Sequence, residues 1–439
     1  MATSSSVLVT VVLRLVAAPF LIRYIGIGGF GVFSLFVSIT AVGGIVDAGI
    51  APVVIRLIGR SRHSQKRLKR SFSTVLLFGG GVTLICAGAG ALLALALHLV
   101  HPDRISADLT LSLFVFEVAL GMAWAVMMQI ALSVLRGLHR FSGAALYDSL
   151  FLFVTQVAAI YAAFRTHGVQ DAIVASLFAA FGCVFFAWSH LVVRMGFGGL
   201  RAISIRNLRR HLGGFAAISL GRALVLFAGQ RADRILVAVF LDFKTLGIYS
   251  AAAAAANVFL ALGSKAVSVL LPFAVERRSD IVWIGEVLRG LTRKISWVAA
   301  CFAAVSCVLA PIWMRMWLGQ AIAADALWPF AVLVWVAAGA LPGGPANNLA
   351  LATGKVGLLA AIQALENTIA ILLMVGLGFF WGFAGILAAK VALMPVSFVL
   401  RTYLANQLLL CRNPFLIADT LPPLLLAGPS LGTLLLIGV

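Results

Sequence analysis

Several ionisable side chains lie inside long apolar runs of this sequence, where a charged group is energetically costly. The acidic ones in such positions are Asp47, Glu117, Asp233 and Glu366. Basic residues that lie comparably deep include Arg14, Arg222 and Lys265. In an apolar setting a carboxylate can exchange a proton or hold a cation, and an arginine can bind an anion such as phosphate through paired hydrogen bonds.

Long apolar helices must position these groups. Hydrophobic residues make up 62% of the 439-residue chain and charged residues only 11%, whereas soluble domains carry about 25% charged residues. A soluble protein could not cover its surface with so few charges. We therefore predict an all-α integral membrane protein, and this composition excludes a soluble enzyme or binding domain.

Apolar runs of membrane-spanning length recur along the chain, since about 20 apolar residues cross a bilayer as a helix. A thirteenth run, at 415–439, contains Asp419 and two prolines and leaves the count of helices open at 12 to 14. The twelve other predicted spans are 6–24, 30–58, 71–100, 109–135, 145–164, 171–193, 213–241, 246–273, 295–318, 326–352, 357–381 and 383–403.

Basic residues fall mainly in alternate loops between these spans. With the N-terminus in the cytoplasm, the inner loops hold most of the Lys and Arg, as the positive-inside rule requires. Arg401, at the inner end of span twelve, is counted with these loops. This bias explains the excess of 33 Lys and Arg over 14 Asp and Glu without a nucleic-acid partner. Met1 to Ser6 lack the basic residues of a signal peptide, so we expect the first run to be a membrane helix.

A strongly basic connector divides the spans into two sets of six. GVFS (Gly31–Ser34) opens span two and GIYS (Gly247–Ser250) opens span eight, which favours a duplicated six-helix unit of the kind found in transporters. The predicted domains are an N-terminal six-helix lobe at 1–200, a basic cytoplasmic connector at 201–212, a C-terminal six-helix lobe at 213–405 and an extra apolar segment at 406–439.

Charges at similar depth mark the first two spans of each half. Arg14 and Asp47 lie on spans one and two, and Arg222 and Lys265 lie on the corresponding spans seven and eight. This pattern predicts one central cavity lined by both lobes, in which the basic groups attract anions and the arginines suit phosphate. Glu117 could line a cavity or a solvated crevice.

Other deep charges leave a structural role open. Glu366 and Lys390 lie on neighbouring spans and could pair. Arg231 and Arg234 flank Asp233, so a structural cluster there competes with a contact to substrate.

A glycine-rich stretch, GIGGFG at Gly26 to Gly31, matches the dinucleotide-binding pattern G-x-G-x-x-G. That motif follows a strand and opens a helix, whereas here it joins two membrane spans, so we expect only a tight turn. The cysteines and histidines show no metal-ligand spacing. The sequence therefore predicts neither a cofactor nor a metal site.

Four stretches, in this order and spacing, carry a family pattern. The first is VAAPFLIRYIGIGGFGVFSLFVSITAVGGIVDAGI, with Pro19, Arg23, Gly31, Phe33, Asp47 and Gly49. The second is DRILVAVFLDFKTLGIYSAAAAAANV, with Asp233, Gly247 and Tyr249. The last two are LATGKVGLLAAIQALENTIAILL and WGFAGILAAKVAL, with Gly354, Lys355, Asn367 and Gly385. Together they resemble the O-antigen and exopolysaccharide flippases of the multidrug/oligosaccharidyl-lipid/polysaccharide superfamily.

The resemblance implies a transporter rather than an enzyme, with two lobes around a cationic cavity. It implies alternating access that moves an undecaprenyl-pyrophosphate-linked oligosaccharide across the bacterial cytoplasmic (inner) membrane, coupled to H⁺ or Na⁺. Membrane lipids and polysaccharide polymerase machinery are the further partners expected. The expected substrate-binding residues are Arg14, Arg23, Arg222 and Lys265. The residues expected to couple ions or line the cavity are Asp47, Glu117, Asp233 and Glu366.

Two other functions fit parts of the sequence. A multidrug cation exporter of the same superfamily would line its cavity with carboxylates and aromatic residues, without so many basic groups. A membrane glycosyltransferase or ligase would need a sizeable outer loop or a catalytic domain, and the chain shows short outer loops and no D-x-D motif.

Overall fold

The computed structural model describes most of the chain, and every regular element within the described residues is helical. The described stretches are 2–41, 50–61, 64–100, 111–195, 231–268, 270–277 and 280–409. Asp47, Arg222, the predicted connector at 201–212 and the predicted thirteenth span lie outside them. The chain forms two compact units, Met1–Phe243 and Lys244–Val439. Because the connector is not described, the predicted domain boundaries stay predictions.

The first unit is a bundle in which one helix is central. Its helices are α1 (Ala2–Thr40), α2 (Ala51–Ser61), α3 (Gln65–Val100), α4 (Leu111–Gly137), α5 (Phe141–Thr166), α6 (Val169–Met195) and a helical segment at 231–240. Helix α4 packs against α1, α2, α3, α5 and α6. In its most apolar window 61% of residues are buried inside the protein, against 11% for α5. Helix α4 therefore forms the core of this unit, and α5 needs lipid around it.

A sharp bend at Gly26 divides α1 into two helices. The backbone there has φ 73° and ψ 170°, a conformation that glycine adopts far more readily than other residues. The bend confirms the turn predicted between spans one and two. Span two differs from its prediction as one helix over 30–58, because α1 ends at Thr40 and α2 begins at Ala51. Pro52 lies in the first turn of α2. Backbone N–H groups there have no acceptor within the helix, so the missing N–H of proline costs no hydrogen bond.

The second unit, like the first, consists of long apolar helices, one of which bends at a glycine. Its elements are α7 (Phe243–Ser268), α8 (Leu270–Glu276), α9 (Ile281–Leu318), α10 (Gln320–Ala340), a 3₁₀ turn (Leu341–Gly343), α11 (Gly344–Ala352) and α12 (Val356–Leu409). Helix α12 bends at Gly382, with φ 56° and ψ −130°. This is the point at which the sequence predicts span eleven to end and span twelve to begin.

The exposed surface of these helices is suited to a bilayer. Within the described residues, nine helices are long and apolar enough to cross a membrane. Because α1 and α12 each contain two predicted spans, and span seven is described only over 231–240, these helices agree with the predicted set of twelve. Large apolar side chains such as Phe178, Val193, Met316 and Phe380 are exposed, as expected for lipid contact. The prediction of an all-α integral membrane protein is confirmed.

Candidate functional site

A cavity of about 290 Å³ with a mixed polar and apolar lining lies inside the first unit. Residues of α1, α4, α5, α6 and the segment 231–240 surround it. Its polar lining consists of Thr40, Gln129, Asp148, Thr155, Gln156, Ser176 and Arg231, and its aromatic lining of Phe33, Phe36 and Phe151. An opening of this polarity within a membrane bundle marks a candidate functional site.

Helical periodicity brings the lining residues of each helix to one face. On α5, Thr155 and Gln156 follow Asp148 by seven and eight residues, which is about two turns of helix. On α4, Gly121, Ala125 and Gln129 follow one another at intervals of four. The small side chains of Gly121 and Ala125 leave space that larger ones would fill.

The hydroxyl groups of the cavity donate to the backbone of their own helices. Thr40 Oγ1 donates to Phe36 O at 2.9 Å, and Ser176 Oγ donates to Ile173 O at 2.7 Å. Thr155 Oγ1 donates to Phe151 O at 2.7 Å. These hydroxyl oxygens therefore keep lone pairs with which they can accept hydrogen bonds from a ligand.

The stronger hydrogen-bonding groups of the cavity are an amide and two opposite charges. The side-chain oxygen of Gln129 is buried and has no hydrogen-bond partner, although buried polar atoms are normally satisfied. Asp148 and Arg231 each make other interactions within the protein and place a carboxylate and a guanidinium at the cavity wall. The set offers acceptors and donors to a ligand rich in hydroxyl groups.

The predicted cationic residues are only partly placed by the structure. Arg23 lies on α1 with an exposed side chain and does not line this cavity. Arg14 lies in α1 and Lys265 in α7, but their side chains are outside the described parts, as are all of Arg222 and Asp47. The predicted role of these residues in substrate binding or coupling stays a prediction.

The flanking arginines of Asp233 have separate contacts. Arg231 reaches the cavity, while Nη1 of Arg234 donates to Ser38 Oγ of α1 at 3.2 Å. Asp233 is buried, and its Oδ1 accepts the backbone N–H of Arg234 at 2.8 Å. The segment 231–240 is thereby linked to α1 beside the cavity.

Glu366 has a charged partner that the sequence did not suggest. Nη2 of Arg401 lies 3.4 Å from its Oε1, and Ser397 Oγ also donates to this oxygen. The sequence had assigned Arg401 to an inner loop, which is wrong because the residue lies within α12 with a side chain only 15% exposed. Helix α12 extends to Leu409, beyond the predicted end of span twelve.

Glu117 has a neutral partner. Its side chain is 2% exposed, and its Oε1 accepts a hydrogen bond from Gln170 Nε2 at 3.3 Å. Its Oε2 has no hydrogen-bond partner. Glu117 is thus a buried acid facing an amide, whereas Glu366 is a partly buried acid facing a guanidinium.

Metal ligation finds no support in the described residues. Within them, no three His, Cys, Asp or Glu side chains approach closely enough to hold a metal ion. The cavity residues that sequence reasoning missed are Gln129, Thr155 and Gln156. The polar stripe of Asp148, Thr155 and Gln156 at helical spacing is the signal that could have identified α5 as a lining helix.

The fold is that of the multidrug/oligosaccharidyl-lipid/polysaccharide transporters. The structure of the lipid II flippase MurJ in an inward closed conformation matches with a TM-score of 0.71 at 12% identity, over 99% of this chain and 98% of that chain. An inward-facing multidrug resistance transporter of the MATE family matches with a TM-score of 0.62 at 14% identity, over 91% and 95%. The eukaryotic MATE transporter AtDTX14 matches with a TM-score of 0.58 at 12% identity, over 96% and 97%. At these identities the likeness concerns the fold alone.

The family follows from the sequence itself. The model of a family of polysaccharide biosynthesis proteins matches residues 20–324. The chain belongs to this family, since the match covers well over half of its length. No curated protein matches the chain. The predicted superfamily is confirmed, and the chain is a multi-pass membrane protein of the transporter and flippase type.

Proposed function

We propose that this chain moves an oligosaccharide linked to undecaprenyl pyrophosphate from the inner to the outer leaflet of a bacterial cytoplasmic membrane. Its family is one of polysaccharide biosynthesis, and MurJ, whose fold it shares, is a flippase for lipid II. Alternating access, ion coupling and a cytoplasmic N-terminus are parts of the proposal. The reaction is transport, so no covalent step is assigned to any side chain.

The cavity of the first unit, with its polar and apolar lining, is the observation that carries this proposal. A sugar presents hydroxyl groups that both donate and accept, and it presents apolar C–H faces. Asp148 supplies acceptors, Arg231 supplies donors, and Phe36 and Phe151 supply apolar surfaces. The volume of about 290 Å³ is just below the range for ligand pockets, about 300–1,000 Å³. It therefore suits a sugar residue or two, while the rest of the substrate is bound elsewhere.

The pyrophosphate is assigned to the predicted cationic residues. Arginine binds phosphate through its planar fork, and lysine binds it as a point charge. We assign this role to Arg14, Arg23, Arg222 and Lys265. Among the predicted coupling residues, Glu366 is already paired with Arg401, which favours a structural role for it.

A flipping assay with a cavity-filling variant tests the proposal. The full chain is reconstituted in liposomes that contain an undecaprenyl-pyrophosphate-linked oligosaccharide, and a membrane-impermeant glycosidase reports which leaflet holds the sugar. We expect Ala125→Phe to reduce flipping at least about tenfold, because the ring occupies the cavity. Asp148→Asn is expected to reduce it by a similar factor, since a hydrogen bond to a charged group contributes about 1.5–3 kcal/mol.

Two matched variants control for general damage to the membrane protein. Val154→Phe adds the same ring at an exposed position of α5, and Asp325→Asn neutralises an exposed carboxylate of α10. Both should flip lipid at the wild-type rate. A wild-type rate for Ala125→Phe would contradict the role of the cavity.

Drug export is the alternative outcome of the same work. The likeness to MATE transporters and the carboxylate of Asp148 in the cavity would suit a lipophilic cation. Increased resistance to cationic drugs on expression, without any flipping of the lipid-linked sugar, would replace the proposed function by this one.

A further inference from the structure

Glu117 occupies an unusual position for a carboxyl group. It lies six residues after the start of α4, in the helix that forms the core of the first unit. Within the described residues, Gln170 Nε2 is the one hydrogen-bond donor at its carboxyl group, and Oε2 has no partner there. An ionised carboxylate in this place would be a buried charge with a single neutral hydrogen bond.

The electrostatic cost of that charge is high. A buried ionised carboxylate is stable only when a cation or several donors compensate for lost hydration, and otherwise it takes up a proton. Glu366 shows the compensated case, with Arg401 and Ser397 at its oxygen. The described residues offer Glu117 no such compensation, so among them the neutral carboxylic acid is more stable than the anion.

Among the residues that the structure describes on the neighbouring helices, no charged or titratable group interacts with Glu117. The basic residues of α3 lie in its first turns, and α2 packs at Gly137, at the opposite end of α4. At the Glu117 end, the groups on α1, α5, α6 and the turn between the last two are mostly exposed and make no interaction with it. These groups are Arg23, Tyr24, Tyr161, Arg165, His167 and Asp171.

A proton fits this site better than a metal cation. Hard cations take several oxygen ligands, about six to eight for Ca²⁺. The described polar groups at Glu117 are one carboxyl group and one amide. A proton needs only the free Oε2, where it forms a single covalent O–H bond.

The position of Gln170 links this carboxyl group to two other helices. Gln170 is the second residue of α6, directly after the turn that contains His167. A ring nitrogen of His167, Nδ1, lies 3.1 Å from the carbonyl oxygen of Tyr24, two residues before the bend of α1 at Gly26. A change in the charge of Glu117 would therefore act on the start of α6 and, through this turn, on the bend of α1.

We propose that Glu117 is the proton-binding residue that couples transport to a proton gradient, with Gln170 as its positioning residue. In the present conformation Oε2 carries the proton. When the start of α6 moves and water enters, the O–H bond breaks, the proton passes to water and the electron pair stays on the carboxylate. The site is at the predicted outer end of α4, so the proton is exchanged with the outside in one state, and coupling requires its exchange with the cytoplasm in the other state of the alternating-access cycle. The coupling role rests on the proposed transport function, whereas proton binding does not.

Infrared difference spectroscopy on the purified full-length protein tests proton binding without any substrate. At neutral pH we expect the wild type to show the C=O band of a protonated carboxyl group that is missing in Glu117→Gln. Glu286→Gln, which changes an exposed glutamate of α9, should leave the band in place. Glu117→Gln retains an amide–amide hydrogen bond to Gln170, so we expect it to fold. Loss of the band in the control, or its absence from the wild type, would overturn the proposal.

Flipping under an imposed pH gradient tests coupling with the liposomes described above. One unit of pH biases a one-proton exchange by about tenfold, and we expect Glu117→Gln to lose this stimulation while flipping without a gradient persists. Gln170→Met should alter the pH profile, whereas Asp171→Asn, at the neighbouring exposed position, should not. Unchanged gradient stimulation in Glu117→Gln would refute coupling through this residue. If no variant and no wild type flips the lipid, the proposed function fails while the infrared result still decides proton binding.

Discussion

Arg401 and Glu366 join the two halves of α12 across its bend at Gly382, with 3.4 Å between Nη2 and Oε1. Nη1 of Arg401 also donates to the carbonyl oxygens of Gly339 and Ala340, at 3.1 and 3.0 Å, at the end of α10. Carbonyl groups at a helix end lack the usual intrahelical partners. One guanidinium therefore ties both halves of α12 to α10, which the five donors of arginine permit.

Removing this guanidinium should destabilise the second unit. Arg401→Ala leaves Glu366 as a largely buried charge without its cation and two carbonyl groups without their donor. The loss on breaking a buried pair is about 3–5 kcal/mol, and we expect a value toward the lower end because the side chains are 15% and 19% exposed. Thermal unfolding of the detergent-solubilised protein, followed by tryptophan fluorescence, measures the effect.

Two further variants separate the ion pair from its geometry. Arg401→Lys should recover only part of the lost stability, since an ammonium group has no planar fork. Arg293→Ala removes an exposed arginine of α9 and should leave the unfolding temperature close to that of the wild type. If Arg401→Ala unfolds at the same temperature as Arg293→Ala, the pair contributes nothing to stability.

Close packing at the α12 bend gives a second prediction. A Cβ atom at Gly385 would collide with the backbone carbonyl group of Leu377, whereas one at Gly376 would meet open space. We expect Gly385→Ala to disrupt the bend and reduce the folded yield severely, because backbone atoms cannot give way as a flexible side chain can. Gly376→Ala should be neutral or slightly stabilising, since alanine favours helix by about 1 kcal/mol over glycine.

Size-exclusion chromatography of fluorescent-protein fusions measures the folded fraction of both variants directly. Gly382→Ala belongs in the same series, because its positive φ makes any other residue strained by about 1–3 kcal/mol. The expected order of folded yield is Gly376→Ala first, then Gly382→Ala, then Gly385→Ala. Equal yields for Gly376→Ala and Gly385→Ala would show that the bend tolerates a shift of its backbone.

The sequence predicted the bends well because they depend on local chemistry. Hydropathy marked the ends of the paired spans, and a glycine at each junction, Gly26 and Gly382, supplies the backbone freedom that a sharp reversal requires. The turns at Ala41 and Ile50 were missed, because an apolar run of that length reads as one helix. Length and hydropathy therefore sufficed for the order of the helices but not for every end.

The partners of the buried charges could not be predicted, since they depend on which helices become neighbours. Adjacent spans suggested Lys390 for Glu366, and this pairing stays a prediction, but no sequence pattern suggested Arg401, which helix packing brings to that carboxylate. Gln170 is 53 residues from Glu117, and no periodic pattern relates the two. The cavity could not be predicted for the same reason. Gln129 lines it only because α4 packs with that face toward α5.

Orientation in the membrane gives a third prediction, which rests on the distribution of basic residues. Arg136 and Arg140 lie at the turn after α4, which the positive-inside rule assigns to the cytoplasm. The turn after α5, at His167 and Gly168, is then outside. A green fluorescent protein fused after Arg140 should be fluorescent, and an alkaline phosphatase fused after His167 should be active, since each reporter works on only one side of the membrane.

A second pair of fusion points tests the same orientation in the other unit. Alkaline phosphatase fused after Gly319, between α9 and α10, should be active, and green fluorescent protein fused after Lys355, before α12, should be fluorescent. Exchanging the two reporters at each point serves as the control, and every exchanged fusion should be silent. Reversal at all four points would turn the protein over, so that Glu117 would face the cytoplasm and take up its proton from there. Reversed reporter activity in only one unit would mean that an odd number of spans separates His167 from Gly319, where we place an even number.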